Sequence, residues 1–386
     1  MRDDSRFSFY EFFAGGGMAR AGLGAGWDCL FANDFDPAKA AAYAANYGDE
    51  ALHPGDIADV TADRLDGPAD LAWASFPCQD LSLAGRRGGL EAARSSSFFA
   101  LMRLIAELRE TGRAPAMLAI ENVTGLLSSA GGADFAALCA ALGEAGYRFG
   151  ALEIDAADFL PQSRPRLFVI ALDEAREPPS GLVGEGGAFI TPRVKAARDR
   201  LPKPERSGWI DWRLPAPPPR NTTLETLIDE TAAGWFDAEA LIALMDARNL
   251  ERLAAVKAEA KARGTTRIGA VYRRMRGEDG ARVQRAEARF DGLCGCLRTP
   301  GGGSSRQFLL FVEPSGRVKA RPMSPRETAR AMGLGDDYVL PEGRTAALHL
   351  TGDGVAVHAV AYLREHLFEP ALAAAGRGGR ALKLTA

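Results

Sequence analysis

One cysteine stands where the sequence predicts the end of a buried strand, and the residues around it favour nucleophilic chemistry. Residues 69–74 are apolar enough for a short buried strand, and Pro77 ends that strand because proline has no backbone N–H to donate. Cys78 is therefore predicted at a strand's C-terminal end, where open α/β sheets bind their ligands. Arg86 and Arg87 follow in a polar, glycine-rich loop, and nearby cations favour the thiolate form of cysteine. Because most free cysteines are packed and inert, the assignment depends on the flanking motifs.

A carboxylate stands at the end of another predicted strand. Glu121 follows the short apolar run of residues 117–120. We expect it on the same rim of the sheet as Cys78, where it can bond the amidine-like edge of a pyrimidine. A helix-capping role fits less well, because Thr124 and Ser128 could cap a helix at lower cost.

Two arginines stand at the start of a later predicted strand. Arg164 and Arg166 alternate into the strand of residues 166–171, which predicts both side chains on one face. Planar guanidinium groups suit a base carbonyl, a phosphate or a carboxylate. A purely structural pairing of one of them with an aspartate is left open.

The N-terminal segment has the order of strand, glycine turn and helix that opens a nucleotide-binding unit. Residues 8–13 predict the strand, residues 14–17 supply the turn, and the helix begins at Met18. Asp34 lies 19 residues after Gly15, about where such folds have a carboxylate that binds ribose hydroxyls. The turn is not G-x-G-x-x-G, and no P-loop motif occurs, which argues against a dinucleotide or a P-loop triphosphate. S-adenosylmethionine is the remaining common ligand for such a unit.

Two further features allow more than one interpretation. Asp56 ends the third strand–helix step, where it could accept a hydrogen bond from an adenine amino group or cap a helix. Cys294 and Cys296 are spaced closely enough to suggest a metal, but no second ligand pair lies nearby and zinc needs about four ligands. The sequence therefore predicts no metal site.

Composition bounds the class of protein. The 386 residues are enough for one large domain or two ordinary ones, and 25% charged and 47% hydrophobic residues are usual for a soluble globular protein. No apolar run approaches membrane-spanning length, and the polar first residues do not resemble a signal peptide. Five cysteines without regular spacing suit a reducing cytoplasm. We expect a soluble, intracellular protein.

The charge is unevenly distributed along the chain. Residues 248–330 carry 19 Lys and Arg against 8 Asp and Glu, a balance of +11. Because the whole chain carries −3, the remainder carries −14. A basic surface on an acidic body is the electrostatic pattern expected for a protein that binds a phosphate backbone, although residues 257–263 read more simply as a solvated helix face.

The C-terminal half predicts two helices with clear ends. Residues 238–262 predict a long amphipathic helix with Asp237 as its N-cap. Its apolar residues are predicted to lie in the core: Leu241, Leu244, Met245, Leu250 and Leu253. A second helix is predicted with Ser324 as cap, Pro325 at its first position and Gly333 at its end.

Taken in order, these motifs resemble those of the cytosine-C5 DNA methyltransferases. The matching segments are FFAGGG (12–17), ND (33–34), GDI (55–57), FPCQ (76–79), ENV (121–123), PQSRPR (161–166) and SPRE (324–327). Six or more matches in a fixed order are specific, whereas one alone is weak. The chain departs from the family pattern at Asp353, where an asparagine is usual, and at Ser75, where a glycine is usual.

The resemblance implies an α/β fold: a Rossmann-like S-adenosylmethionine-dependent methyltransferase domain with a smaller target-recognition domain inserted. Residues 1–173 would form the catalytic and cofactor-binding domain, and residues 174–320 the target-recognition region. Residues 321–386 would return to the catalytic domain.

The resemblance also implies roles for individual residues. The implied catalytic residues are Cys78, Glu121, Arg164 and Arg166. The implied contacts to S-adenosylmethionine are Phe13, Ala14, Gly15, Gly17, Asp34, Asp56, Ile57 and Pro77. The implied DNA contacts are Gln79, Ser82, Arg86, Arg87, Arg298, Ser304, Ser305 and Arg306.

The implied reaction is methyl transfer from S-adenosylmethionine to C5 of a flipped cytosine in a specific duplex sequence. It would proceed through a covalent Cys78–C6 adduct and leave S-adenosylhomocysteine, without a metal. The resemblance further implies a monomer in the bacterial cytoplasm, associated with the nucleoid, that binds double-stranded DNA and no membrane. It also allows a cognate restriction endonuclease as a partner.

Three alternatives remain open at this stage. One branch of the family methylates transfer RNA with the same cysteine motif, although a long recognition region and a basic arm favour DNA. A catalytically silent DNA-binding relative would transfer no methyl group. A small-molecule methyltransferase would not need an insertion of about 150 residues, the size of an ordinary domain.

Overall fold

A computed structural model describes residues 7–76, 97–278, 280–299 and 306–374, and the chain divides into two compact units. The first unit consists of Met1–Ile154, Pro165–Pro218 and Ala359–Ala386, and the second of Asp155–Arg164 and Pro219–His358. The target-recognition region predicted at residues 174–320 is defined by DNA recognition and not by compactness, so its boundaries stay a prediction.

The first unit is built on a seven-stranded sheet. Its strands are β1 (Phe7–Phe12), β2 (Trp27–Asp34), β3 (Leu52–Pro54), β4 (Leu71–Ala74), β5 (Met117–Val123), β6 (Tyr147–Asp155) and β7 (Pro165–Asp173). Their order in the sheet is β3-β2-β1-β4-β5-β7-β6. β2, β1, β4 and β5 pair in parallel, whereas β7 runs antiparallel to β5. The predicted α/β fold is therefore confirmed.

The strand order reverses beside β1. The chain adds β2 and β3 on one side of β1 and then returns to add β4 on the other side. The register aligns Asn33, Phe12, Ala74 and Ile120 across four neighbouring strands. The residues that follow these four therefore meet along one rim, and a reversal of strand order is where open α/β sheets bind ligands.

Helices cover the sheet of the first unit. They include α1 (Met18–Leu23), α2 (Pro37–Tyr47), α3 (Ser97–Glu110), α4 (Ala133–Glu144), α5 (Pro192–Arg200) and α6 (Lys203–Ser207). α3 buries Phe98, Leu101, Leu104, Ile105 and Leu108, and this spacing of three and four residues is that of an amphipathic helix with one face in the core.

One stretch of the first unit, Thr124–Glu144, is long and apolar enough to cross a membrane by length and composition. Its backbone leaves helical geometry at Ser129, Ala130 and Gly131, so it is a 3₁₀ segment followed by the 12-residue helix α4. Twelve residues of α-helix span about 18 Å, well short of a hydrocarbon layer of about 30 Å. α4 buries Phe135 against the core of the first unit, so this stretch packs as a core element.

The second unit contains a five-stranded antiparallel sheet. Its strands are β8 (Phe236–Asp237), β9 (Arg267–Glu278), β10 (Ala281–Arg289), β11 (Gln307–Val312) and β12 (Val318–Pro322). Their order is β10-β9-β11-β12-β8, and every neighbouring pair is antiparallel.

The long helix predicted for residues 238–262 is wrong in its start. The chain forms a short helix, α7 (Glu239–Ile242), and then α8 (Ala247–Arg263). Asp246 begins α8 as its N-cap because its carboxylate accepts a hydrogen bond from the N–H of Asn249 at 2.8 Å. Leu253 is buried as predicted, but Leu250 is 42% exposed because the later start gives α8 a different buried face.

The helix predicted at Ser324 is confirmed as α9 (Pro325–Ala331). Ser324 and Glu327 form a capping box, in which each side chain accepts a hydrogen bond from the other's backbone N–H. Three more helices follow: α10 (Arg344–Asp353), α11 (Val357–Leu363) and, after a π-helical turn at Arg364–Phe368, α12 (Glu369–Ala374).

Candidate active site

The turn after β1 has a left-handed backbone that the sequence explains. Phe13, Gly15 and Gly17 have φ values of 57°, 56° and 76°. At Gly17 a Cβ atom would lie 2.4 Å from the Tyr47 ring, so only glycine fits. At Gly15 a Cβ atom would have no neighbour within 4 Å among the described residues, so that side of the turn is open. A non-glycine residue such as Phe13 in this conformation is uncommon and is frequently found at functional sites.

Asp34 at the end of β2 holds this turn. One carboxylate oxygen accepts a hydrogen bond from the N–H of Gly15 at 2.8 Å, and the other accepts from the N–H of Asp36 at 2.9 Å. Burial raises the pKa of Asp34 above its usual value. The next residue, Phe35, is 70% exposed and was not among the predicted site residues. An aromatic residue directly after a predicted ribose-binding carboxylate was the available signal.

Asp56 and Ile57 lie after β3. Asp56 accepts a hydrogen bond from the N–H of Ala58 at 2.9 Å and so caps a 3₁₀ turn, which is the capping interpretation that the sequence left open. Ile57 is 3% exposed and its side chain lies in the core. Their predicted cofactor contacts stay a prediction.

A buried polar group that was not predicted from the sequence lies beneath the glycine turn. Glu11 of β1 is 1% exposed, and it accepts hydrogen bonds from the Arg20 backbone N–H at 3.2 Å and from the Tyr43 hydroxyl at 3.3 Å. Arg20 in turn donates to Tyr43 at 3.0 Å, and the Cys29 thiol lies 3.4 Å from the same hydroxyl. Burial raises the pKa of Glu11 to about 8. A carboxylate inside an apolar strand was the signal in the sequence.

Phe76, the last described residue before Cys78, is held at the rim next to β5, the strand that carries the predicted catalytic carboxylate. The Asn122 side chain donates a hydrogen bond to the Phe76 carbonyl at 3.1 Å, which fixes the backbone two residues before Cys78. Phe13 and Phe76 also meet edge to face, with ring centroids 6.3 Å apart. Phe76 is therefore held both by the turn after β1 and by the end of β5.

Glu121 and Arg166 form an ion pair at this rim. The Arg166 Nε atom lies 3.1 Å from a Glu121 carboxylate oxygen, and both side chains are at most 15% exposed. The antiparallel register of β5 and β7 brings them together, since Arg166 lies opposite Val123, two residues after Glu121. A carboxylate held by a guanidinium group at the edge of a sheet can present fixed hydrogen-bonding groups to a polar ring.

Arg164 has different partners from Arg166. Arg164 is 2% exposed, and its guanidinium group donates to the carbonyl oxygens of Leu297, Gly352 and Gly354 at 2.8, 3.0 and 2.6 Å. These contacts hold the Arg164 guanidinium group within the second unit, and its predicted catalytic role stays a prediction. The Arg164 backbone N–H also donates a hydrogen bond to the Asp155 carboxylate at 2.6 Å, and a side-chain pairing with an aspartate stays a prediction.

Asp353, where the family usually has asparagine, also makes a contact within the second unit. Its carboxylate accepts a hydrogen bond from the Thr299 hydroxyl at 2.5 Å. At Gly352 a Cβ atom would lie 2.5 Å from the Thr299 backbone nitrogen, so close packing requires glycine there. This segment is therefore fixed by the residues around position 299.

Arg298 and Arg306, two of the predicted DNA contacts, are exposed side chains of the second unit. They line one pocket together with Arg344. The remaining predicted site residues lie outside the described part of the chain: Pro77, Cys78, Gln79, Ser82, Arg86, Arg87, Ser304 and Ser305.

Metal ligands do not gather in the described ranges. No group of three or more His, Cys, Asp or Glu side chains that could hold a metal ion occurs within residues 7–76, 97–278, 280–299 and 306–374. Cys294 is fully buried, and burial raises the pKa of its thiol to about 12. The prediction that the protein needs no metal stays a prediction.

The rim from β1 to β2 fits an adenosyl cofactor. The open side of Gly15 lets a ligand approach the backbone, and Asp34 keeps acceptor capacity on both oxygens because each has a second lone pair. The exposed Phe35 ring adds an apolar surface for a planar base.

Comparison with known proteins identifies the family of this chain. The family model of C-5 cytosine-specific DNA methylases matches residues 7–369. The Type II methyltransferase M.HhaI of Haemophilus parahaemolyticus is 25% identical over 360 residues, which cover 92% of each chain. M.PspPI of Psychrobacter is 33% identical over 169 residues, covering 43% of this chain and 39% of its own.

A solved structure supports the fold. The crystal structure of the Schizosaccharomyces pombe Dnmt2 methyltransferase matches with a TM-score of 0.58 at 16% identity, covering 95% of this chain and 99% of its own. At that identity the likeness concerns the fold alone. Since the family model spans nearly the whole chain, this protein belongs to the C-5 cytosine-specific DNA methylase family and is a DNA cytosine-5 methyltransferase.

Proposed function

We propose that the protein transfers a methyl group to C5 of a cytosine flipped out of a specific duplex DNA sequence, through a covalent bond between Cys78 and C6. The Glu121–Arg166 ion pair beside the anchored Phe76 supports this proposal most directly. A nucleophile two residues beyond Phe76 would start from the same rim as a carboxylate and a guanidinium group suited to a pyrimidine edge.

The thiolate step follows from the chemistry of the base. C5 of cytosine is a poor nucleophile, so the Cys78 sulfur first adds to C6 and ring electrons move toward C5. C5 then takes the methyl group, a base removes the C5 proton, and elimination breaks the sulfur–C6 bond and frees Cys78. Covalent addition thereby divides one difficult step into easier ones.

Glu121 and Arg166 would bind the ring while its charge changes. Negative charge develops on the ring when sulfur adds to C6, and Glu121 would stabilise N3 and the exocyclic amine through hydrogen bonds. Arg166 would orient Glu121 through their 3.1 Å contact and bind the base carbonyl. Because Arg164 is occupied by three backbone carbonyls, we assign it a positioning role rather than a contact with the base.

The β1–β2 rim would hold S-adenosylmethionine, which supplies an electrophilic methyl group when bound. Asp34 would bind the ribose hydroxyls, and Phe35 would contact the adenine face. Asp56 would accept from the adenine amino group with its second oxygen. The other proposed contacts are Phe13, Ala14, Gly15, Gly17, Ile57 and Pro77.

Duplex DNA is the proposed substrate. A stacked cytosine cannot reach a buried rim, so the base would be extruded from the duplex. The proposed DNA contacts are Gln79, Ser82, Arg86, Arg87, Arg298, Ser304, Ser305 and Arg306. We further propose that the protein acts as a monomer in the bacterial cytoplasm. The Type II methyltransferases among its relatives favour a role in restriction–modification, with a cognate endonuclease as partner.

A mechanism-based trap tests this proposal. A duplex in which every cytosine is 5-fluorocytosine cannot lose a C5 proton, so with S-adenosylmethionine it should hold the protein in a covalent complex that survives denaturing electrophoresis. Cys78→Ser should give no complex while still binding the cofactor. Absence of the complex with wild-type protein would contradict C6 addition, and methyl transfer to transfer RNA but not to duplex DNA would favour the RNA alternative.

A further inference from the structure

The β9–β10 hairpin extends beyond the other strands of its sheet. β11 pairs with β9 only as far as Tyr272, whereas the β9–β10 ladder continues to the pair of Glu278 and Ala281. At about 3.4 Å per residue, the six further residues of β9 span about 20 Å. Among the strands that the structure describes, β9 and β10 alone form this part, a two-stranded ribbon of residues 273–278 and 281–286.

The two faces of the hairpin differ. Val271, Ala286 and Ala288 point to the core that α8 covers. Because side chains alternate along a strand, the opposite face carries the neighbouring positions. This outer face consists of Tyr272, Arg274, Arg276, Val283, Arg285 and Glu287.

Two arginines face each other on this outer face. The register sets Arg274 directly opposite Arg285. Like charges opposite each other destabilise an antiparallel pair. Carboxylates near both arginines offset this repulsion, Asp246 for Arg285 and Glu287 for Arg274, so two planar cations are kept side by side on one face.

Glu287 organises the neighbouring side chains. It accepts hydrogen bonds from the Tyr272 hydroxyl and from Arg276 Nε, the latter at 2.6 Å. The Arg274 guanidinium group lies over the Tyr272 ring, 4.9 Å from its centroid. The outer face is therefore a connected set of polar groups with restricted rotamers, which lowers the entropy lost on binding.

A positively charged cleft lies beside the ribbon. Its lining includes four arginines, Arg248 and Arg252 of α8 with Arg276 and Arg285 of the hairpin. Two carboxylates accompany them, Asp246 and Glu287. An excess of planar cations over anions suits the phosphates of a nucleic acid.

We propose that this ribbon enters the major groove of the target duplex, where Arg274 and Arg285 read base edges and Arg248 contacts phosphate. The inference rests on the proposed function, in which duplex DNA is the substrate. A two-stranded β-ribbon fits the B-form major groove, about 12 Å wide, whereas the minor groove is about 6 Å wide. The deep, narrow major groove of A-form RNA excludes such a reader.

The first test measures target preference. A pool of duplexes with randomised flanks is methylated by the wild-type protein and by two double variants, Arg274→Ala/Arg285→Ala and Arg274→Lys/Arg285→Lys. The methylated cytosines are then sequenced. In both variants the discrimination between bases should fall about tenfold or more at one or two positions near the target. The lysine variant should lose it too, because lysine keeps the charge but lacks the bidentate fork of arginine. The lysine variant should keep the wild-type salt dependence of binding.

Arg263→Ala is the matched control. It removes one positive charge from a side chain that is 63% exposed at the end of α8, away from the outer face. It should leave the target preference unchanged. Thermal melting of all variants tests folding, and the charge-conserving lysine pair keeps the comparison valid if the alanine pair is unstable.

The second test identifies the groove. Duplexes in which 7-deazapurines replace purines lose the N7 acceptor in the major groove and keep the minor groove intact. Wild-type kcat/KM should fall about tenfold on these duplexes, and the alanine double variant should show little additional fall. Target preference unchanged in both double variants, or a loss that is equal for all sequences, would overturn the proposal. Wild-type protein that methylates no duplex would instead refute the proposed function, and this outcome is distinct.

Discussion

The sheet rim of the first unit and the hairpin of the second hold polar side chains in opposite ways. At the rim, Asp34, Asn122 and Glu121 are buried, and each is tied to a neighbouring strand, turn or side chain. On the outer face of the hairpin, Arg276 and Glu287 are bonded mainly to each other and remain partly exposed. The rim is fixed by the fold, whereas the hairpin face is an open array of cations.

This difference separates two functions within one enzyme. Chemistry needs groups held within fractions of an ångström, and burial with hydrogen bonds from several strands provides that. Recognition of a long polyanion needs side chains that extend into solvent, and on the outer face the contacts among Tyr272, Arg276 and Glu287 restrict their rotamers without burying them. Substitutions at the rim should therefore change the rate at every target, whereas substitutions on the hairpin should change which target is methylated.

The largest effect is expected for Glu121→Gln. Loss of the carboxyl group removes the acid that stabilises the ring and the anion that orients Arg166. We expect the single-turnover rate to fall about 10²- to 10⁴-fold on all targets, with DNA affinity and target preference unchanged. Glu110→Gln, at the exposed end of α3, is the control. A change in target preference with a normal rate would contradict the separation of functions.

A smaller effect is expected for Asp34→Ala. The change removes the acceptor that holds the N–H groups of Gly15 and Asp36 and the proposed ribose contact. We expect S-adenosylmethionine affinity, measured by calorimetry, to fall about 10- to 100-fold, because hydrogen bonds to charged groups contribute about 1.5–3 kcal/mol. Asp36→Ala removes only the cap of α2 and should lower stability without this loss. A variant that binds the cofactor normally but binds DNA weakly would refute the assignment.

Glu11→Gln should change stability in a pH-dependent way. Burial raises the pKa of Glu11 from 4.5 to about 8, so the folded protein binds this proton more tightly than the unfolded chain. The stabilisation is complete below pH 4.5 and is lost as the pH rises toward 8, with a slope of at most about 1.4 kcal/mol per pH unit. Denaturant unfolding of wild type and variant between pH 5 and 8 measures the difference.

The variant should lack this slope, since glutamine does not titrate. Arg20, Tyr43, Cys29 and Asp34 surround the carboxyl group in both proteins and contribute equally to the background. Parallel pH profiles for the two proteins would show that Glu11 is not the titrating group. In that case the Glu11 carboxyl group would be better solvated in the folded protein than its contacts indicate.

Much of the rim could be predicted from the sequence because its determinants are local. The glycine turn requires φ values that few other residues adopt, and the apolar runs before Glu121 and Pro77 define strands whose ends share an edge. The resemblance implied Glu121 and Arg166 as catalytic residues, and in the structure the two form an ion pair.

The rest depends on contacts between distant parts of the chain. Arg164 and Arg166 look equivalent in the sequence. The carbonyls that bind Arg164, however, belong to residues that lie between 133 and 190 positions further along the chain. The start of α8 depended on Asp246 rather than Asp237, because either aspartate could cap a helix and only one is seated for it. The extension of the hairpin beyond β11 follows from pairing register, which composition does not specify.

The smallest effect is expected for Tyr272→Phe, which sharpens the comparison most. Phenylalanine keeps the ring under Arg274 and removes only the hydroxyl that donates to Glu287. Burial and then the hydrogen bond to Glu287 raise the pKa of Tyr272. Burial alone would raise the pKa of Glu287, but hydrogen bonds from Tyr272 and Arg276 keep it below its usual value. Without the hydroxyl, Glu287 and Arg276 keep their ion pair but lose one restraint. We expect a two- to fivefold loss of target discrimination, consistent with one hydrogen bond of about 0.5–1 kcal/mol, and an unchanged rate at saturating DNA. Tyr47→Phe, at the rim, is the matched change in the other region. If Tyr272→Phe lowered the rate on every target as much as it relaxed preference, the hairpin would be coupled to catalysis, and the division between a buried rim that sets the rate and a solvent-facing hairpin that sets the target would fail.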